Sequence, residues 1–106
     1  MEQGILRETP YSHIWQKALE IIKGLGRPRI LEIGCGPGQF ANYLFDEVFT
    51  DYMGIDFSSE AISMAKERNP HFADRFFVDD AYTSNFFSGD YDLVIMFEVW
   101  SMFQMT

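Results

Sequence analysis

Glycine occupies every second position in Gly34-Cys35-Gly36-Pro37-Gly38, directly after the apolar run Ile30-Leu31-Glu32-Ile33. A backbone without Cβ atoms can turn sharply and bring its own amides close to a ligand. Carboxylates then recur at the ends of later apolar runs. Asp56 follows Tyr52-Met53-Gly54-Ile55, Asp79 and Asp80 follow Phe76-Phe77-Val78, and Glu98 follows Tyr91-Asp92-Leu93-Val94-Ile95-Met96-Phe97. A loop between the carboxyl end of a strand and the amino end of a helix is where open α/β folds bind nucleotide-like ligands. A carboxylate at the tip of the second strand can accept hydrogen bonds from both ribose hydroxyls of such a ligand.

Two glycine spacings compete for the loop. The dinucleotide fingerprint G-x-G-x-x-G seats a pyrophosphate on the helix N-terminus, and its third glycine would fall at Gln39. The alternative, E-x-G-x-G-x-G from Glu32 to Gly38, resembles motif I of the class I (Rossmann-like) S-adenosylmethionine-dependent methyltransferases. Three further matches follow in that family's order, and the resemblance runs from about residue 11 to residue 100. It implies S-adenosyl-L-methionine as cofactor; separately, no Cys/His cluster in the sequence suggests a metal. The loop residues Glu32, Gly34, Cys35, Gly36 and Gly38 would wrap its methionyl end. Asp56 would take the ribose, and Phe57 beside it would pack on the adenine face. Asp80 would accept from the adenine amine, the Ala81 amide would face a ring nitrogen, and the Phe97 carbonyl would face the cofactor's amino group.

Each residue also has a structural reading. The glycines alone could form a turn with no ligand. Asp56 could cap the helix that follows. Asp79 reads as a solvated acid at a strand end, and Cys35 as a small packing residue rather than a nucleophile. Glu98 is the one ionisable candidate just after the fourth strand, but a first-turn acid there also satisfies a helix N-terminus. The catalytic residue is left unassigned.

The elements that must hold these groups alternate. Ile14, Trp15, Ala18, Leu19, Ile21 and Ile22 repeat at helical spacing over 11–24, and Gly24 and Gly26 stop that helix. A strand is expected at 29–33, then a helix at 38–48 turning Phe40, Ala41, Leu44, Phe45 and Val48 to the core. A second strand at 52–56 leads to a helix at 59–68, with Ser58 as N-cap and Asn69-Pro70 as its stop. A third strand is expected at 75–79, a loop or short helix at 82–89, a fourth strand at 91–97, and a helical segment at 98–106. Tyr11 and Trp15 could lid the cofactor, although core packing suits Trp15 better. Met96, Met102 and Met105 are expected to fill gaps.

Strands alternating with helices give a parallel sheet with right-handed crossovers. The resemblance sets the order 3-2-1-4, a four-stranded Rossmann-like α/β sheet flanked by helices. Full-length relatives usually continue to seven strands, so the resemblance implies a chain truncated after strand four. The run 93–97 reads as a strand buried on both faces, and as an edge it would be an association hazard. A longer parent enzyme, a homodimer through the strand-four edge, or a second chain supplying strands would each answer that hazard.

The 106 residues form one domain, 1–106, and 47% hydrophobic residues with 17% aromatics suffice for a packed core. A net charge of −8, with 8 scattered basic residues, argues against nucleic acid as a partner. One cysteine suits a reducing compartment. No apolar run approaches the ~20 residues of a membrane span, and no signal peptide is evident, so a cytoplasmic protein is expected. The function expected is methyl transfer to a small-molecule acceptor, by this chain or by an enzyme of which it is the cofactor-binding half. The alternatives are a non-catalytic S-adenosylmethionine-binding or interaction module, and a nucleotide-dependent oxidoreductase, which Gln39 disfavours.

Overall fold

Four short runs rich in β-branched and aromatic residues form the sheet: β1 (Ile30–Ile33), β2 (Tyr52–Asp56), β3 (Phe76–Val78) and β4 (Leu93–Ile95). The computed structural model describes residues 12–80 and 89–96. All three strand pairings are parallel, in the order β3-β2-β1-β4 that the resemblance implied. Pairing sets Ile30 beside Tyr52 and Leu93, and Glu32 beside Gly54 and Ile95. The Arg29 carbonyl accepts the amides of Asp92 and Leu93, while the Arg29 amide donates to Asp92 Oδ2 at 2.8 Å. Those bonds fix where β4 begins. The chain steps from β1 outward to β3 and returns to the far side of β1, so the topological switch point lies between β1 and β4.

Three helices accompany the strands: α1 (Ser12–Gly24), α2 (Gln39–Asp46) and α3 (Ser59–Arg68). The main core joins Trp15, Leu19 and Ile22 of α1 to Phe40, Ala41, Tyr43 and Leu44 of α2, to Ile62 and Ala65 of α3, and to Ile30, Tyr52, Phe76 and Ile95 of the sheet. The Trp15 ring lies 5.7 Å from Phe40 and 5.5 Å from Tyr43, which settles it as a core residue. Leu31, Ile33 and Ile55 alternate with these strand residues and form a second cluster with Met53 and Tyr91. Period-2 alternation thus makes β1 apolar toward both faces, as a central parallel strand requires.

Four expectations are corrected. The apolar face of α1 is narrower than its composition suggests: Trp15, Leu19 and Ile22 are buried, whereas Ile14 and Ile21 are exposed. β4 is shorter than expected and only half covered, with Ile95 buried but Val94 and Met96 exposed, and among the described residues it pairs with β1 alone. Met96 therefore fills no gap. Residues 70–75 form a 3₁₀ segment, Pro70–Arg75, which places Phe72 on Phe45 with ring centroids 4.2 Å apart. Its last residue, Arg75, donates to the Thr50 carbonyl. The expectations for Tyr11, residues 82–88 and 97–106, including Met102 and Met105, fall outside the described residues.

The fourth correction concerns Val48, which is 64% exposed rather than in the core. Here α2 ends in a Schellman turn. The Phe49 amide bonds to the Leu44 carbonyl and the Val48 amide to the Phe45 carbonyl. Such a turn needs a left-handed residue, and Val48 takes it at φ 63°. A β-branched side chain is poorly suited to that conformation. Val48→Gly should therefore raise unfolding stability by about 1 kcal/mol, the relief of left-handed strain less the entropy glycine loses on folding. Urea unfolding of the two proteins measures it.

Candidate functional site

The loop between β1 and α2 is shaped by three left-handed glycines, Gly34 at φ 72°, Gly36 at φ 57° and Gly38 at φ 79°. The Ile55 carbonyl, one residue before the tip of β2, accepts from both the Gly34 amide (2.8 Å) and the Cys35 amide (3.0 Å). The Gly36 amide donates to Asp56 Oδ2 at 2.9 Å. Asp56 Oδ1 accepts from the Ser58 amide at 2.9 Å. The glycine loop and the β2 acid, read separately in the sequence, are therefore one constellation at the carboxyl ends of β1 and β2. Asp56 is 9% exposed. A carboxylate offers about four acceptor sites, and these two amides take one on each oxygen, leaving room for two hydroxyl donors. Asp56 is not the helix cap: Ser58 is the N-cap of α3, its Oγ accepting from the Ala61 amide at 3.1 Å, and Asp56 holds the amide of that cap residue.

Gly38 has a second reason to be glycine. A Cβ there would lie 2.8 Å from Asn69 Nδ2 and 3.0 Å from the Ala65 Cβ. Its missing side chain is needed for the close packing of α2 on α3. Asn69, buried at the end of α3, donates through Nδ2 to the carbonyls of Gly38 (3.2 Å) and Ala65 (3.1 Å). It accepts through Oδ1 from Asn42 Nδ2 at 2.9 Å. Arg68 Nε donates to the Pro37 carbonyl at 3.2 Å.

Glu32 is buried beneath the loop, and its Oε1 accepts from the Tyr52 hydroxyl at 2.5 Å. Gly54 makes this possible. It lies beside Glu32 in the pairing, and a Cβ on it would come within 2.6 Å of the Tyr52 hydroxyl and 3.1 Å of Cys35 Sγ. A glycine inside a strand marks such an approach. Burial, with the Glu32 carboxylate and then Cys35 adding to it, holds the Tyr52 phenol well above its ordinary value of 10.0. Cys35 is a buried thiol under the loop, and its Sγ lies 3.7 Å from the Gly36 carbonyl oxygen.

Glu32, Gly34, Cys35, Gly36, Gly38 and Asp56 are thus gathered in one place. Phe57, next to Asp56, is 76% exposed, an unusual position for a large apolar ring. The Asp79 amide bonds to the Asp56 carbonyl, which carries the chain past the same site toward Asp80. Ala81, Phe97 and Glu98 lie outside the described residues. Sequence reasoning missed Tyr52, Gly54, Arg68 and Asn69. The signals present were an acid inside a buried strand, which demands a donor, and a glycine inside the next strand. Among the described residues no group of three His, Cys, Asp or Glu side chains is placed to hold a metal ion. A separate cleft of about 490 Å³ opens at the amino ends of β1, β2 and β4. Its arginines are engaged, Arg29 Nε with Asp51 at 3.5 Å and Arg75 with Thr50, and no expected site residue lines it.

With this geometry in view, the chain can be set beside known proteins. The profile of the family described as "Methyltransferase domain" matches residues 30–106, and the chain belongs to that family. Among solved structures, it is similar to the plantazolicin methyltransferase BpumL in complex with a pentazolic desmethylPZN analog and SAH. The TM-score is 0.64 at 29% identity, over 85% of this chain and 37% of that one. BpumL in complex with SAH alone matches with a TM-score of 0.57 at 27% identity, over 85% of this chain and 37% of that one. The methyltransferase domain of bacterial CtHen1-C shares the fold, with a TM-score of 0.57 at 21% identity over 76% of this chain and 46% of that one. The chain therefore spans 37% to 46% of the length of these structures. No curated protein matches it.

Tyr52→Phe tests the pair beneath the loop. It takes the phenol's hydrogen bond from a buried carboxylate and should cost about 1.5–3 kcal/mol at neutral pH. The phenol holds its proton longer when folded than when unfolded, so its contribution is intact below 10.0 and is lost as pH rises above that value. Above the unfolded value, wild type should lose up to about 1.4 kcal/mol more per pH unit than Tyr52→Phe. Urea unfolding across alkaline pH measures the difference.

Proposed function

We propose that this chain is the cofactor-binding part of an S-adenosylmethionine-dependent methyltransferase. The observation that carries the reading is the 2.9 Å bond from the Gly36 amide to Asp56 Oδ2, which joins the bare loop to the sugar-binding acid. The residues fit the cofactor. Asp56 keeps acceptor sites for the two ribose hydroxyls, and exposed Phe57 offers a ring to the adenine face. The left-handed glycines leave the loop free of side chains where the methionyl end would lie. Glu32 and Cys35 support that loop from below, and Asp80 with Ala81 would read the adenine edge. The Phe97 carbonyl would meet the amino group. When bound, S-adenosylmethionine supplies a sulfonium methyl group to the acceptor. The residues of this chain contribute orientation and exclusion of water, the main requirements of an in-line displacement. A general base is needed only where the acceptor carries a proton to be removed, and Glu98 is the candidate in this chain.

A small-molecule acceptor is favoured by the net charge of −8, which disfavours nucleic acid. The likeness to BpumL, solved with a desmethylPZN analog, supports the same class. No helix among the described residues is long and apolar enough to cross a membrane. The lone thiol supports a cytoplasmic location. The outer edge of β4, unpaired among the described residues, is where a second copy would pair to form a homodimer. Sedimentation as a monomer at high concentration would overturn that pairing.

Calorimetric titration should show binding of S-adenosylhomocysteine and none of NAD. Asp56→Ala should weaken the former by about 1.5–3 kcal/mol, the range for hydrogen bonds to a charged group. Gly36→Val should weaken it, since a β-branched side chain strains a backbone at φ 57° and would stand on the loop where the methionyl end would lie. Undiminished binding by both variants refutes the site.

A further inference from the structure

We propose that Asn69 is a positioning residue that sets the methionyl half of the cofactor pocket from behind the loop. The inference rests on the reading of the loop given above, and it adds a residue that lies on a different element and outside the motifs.

The loop has few side chains of its own to anchor it, so its shape depends on where its amides and carbonyls are held. Its first half is held by β2, through the Ile55 carbonyl and the Asp56 carboxylate. Its second half is held by the end of α3. The Gly38 carbonyl accepts from the Asn42 amide, the first bond of α2, and from Asn69 Nδ2. Both lone pairs of that carbonyl are then used, and the peptide plane leaving the loop is fixed in two directions.

Asn69 suits this task because of its buried position and its bonding. It is 4% exposed and makes three side-chain bonds, donating to Gly38 and Ala65 and accepting from Asn42. Aspartate has the same shape but cannot donate to the two carbonyls, and leucine can do neither. The absence of a Cβ on Gly38 admits the amide, since a Cβ would lie 2.8 Å from Nδ2. Glycine at 38 and asparagine at 69 therefore form a matched pair. At its other end α3 begins beside the Asp56 carboxylate, through the Ser58 amide. One helix thus braces the sugar side of the site at its start and the methionyl side at its end.

The two halves can be separated by ligand. Methylthioadenosine has the adenosine and the thioether but lacks the amino-acid tail of S-adenosylhomocysteine. Both ligands are titrated into wild type, Asn69→Ala, Asn69→Asp and Asn42→Ala, with ligand-free unfolding followed on the same samples. Loss of the clamp should weaken S-adenosylhomocysteine about tenfold in both Asn69 variants and about threefold in Asn42→Ala, with methylthioadenosine changed by less than about twofold. Asn42→Ala leaves both carbonyl contacts in place and gives the decision if the Asn69 variants do not fold. Equal loss of both ligands, or S-adenosylhomocysteine bound at wild-type strength, overturns the role of Asn69 and leaves the cofactor reading standing. Absence of S-adenosylhomocysteine binding in wild type removes both.

Discussion

A loop built of glycines cannot hold itself, and the arrangement around residues 34–38 follows from that constraint. Such a segment loses more conformational entropy on ordering than any other kind. What offsets the loss is a set of bonds from neighbouring elements: the Ile55 carbonyl, the Asp56 carboxylate, the Arg68 guanidinium and the Asn69 amide. All four come from β2 or α3, the strand and helix that follow α2. The parallel order of the sheet makes this possible, because it sets the tip of β2 directly beside the end of β1.

The support below the loop follows the same logic with side chains. A carboxylate buried as deeply as Glu32 is costly unless a donor meets it. The donor is Tyr52, whose ring runs along β2 and reaches Glu32 across Gly54. The three residues are interdependent. A side chain at 54 would displace the phenol, and without the phenol the acid would lose that donor. Cys35 closes the space on the loop side.

Much of this could be read from the sequence where a residue type carries its own reason. Alternating glycines at a strand end, an acid at the tip of the next strand and serine before a helix each gave the right local structure, while the strand order came from the family resemblance. What stayed hidden depended on register or on distance along the chain. Glu32 was visible as an acid within an apolar strand, but its partner emerges only when β1 is set beside β2. Asn69 stood next to Pro70 and served as a stop signal, which masked its hold on Gly38. Periodicity overcounted the core at Ile14, Ile21 and Val48. It marks a helix face but not how much of that face a neighbour covers, and at Val48 the helix had already ended in a left-handed turn. It also undercounted at Tyr43, an aromatic with a polar tip that packs beside Trp15.

The burial of Cys35 has a consequence for how the loop could be watched. The thiol is the single cysteine of the chain, it is 2% exposed, and it sits inside the segment proposed to receive the cofactor. The Cys35 amide is tied to the Ile55 carbonyl of β2 at 3.0 Å, so a reagent must wait for that segment, or the core around it, to open. The sulfur is thus a built-in clock for opening: its rate of alkylation in the resting protein reports how often the hollow comes apart, with no residue changed.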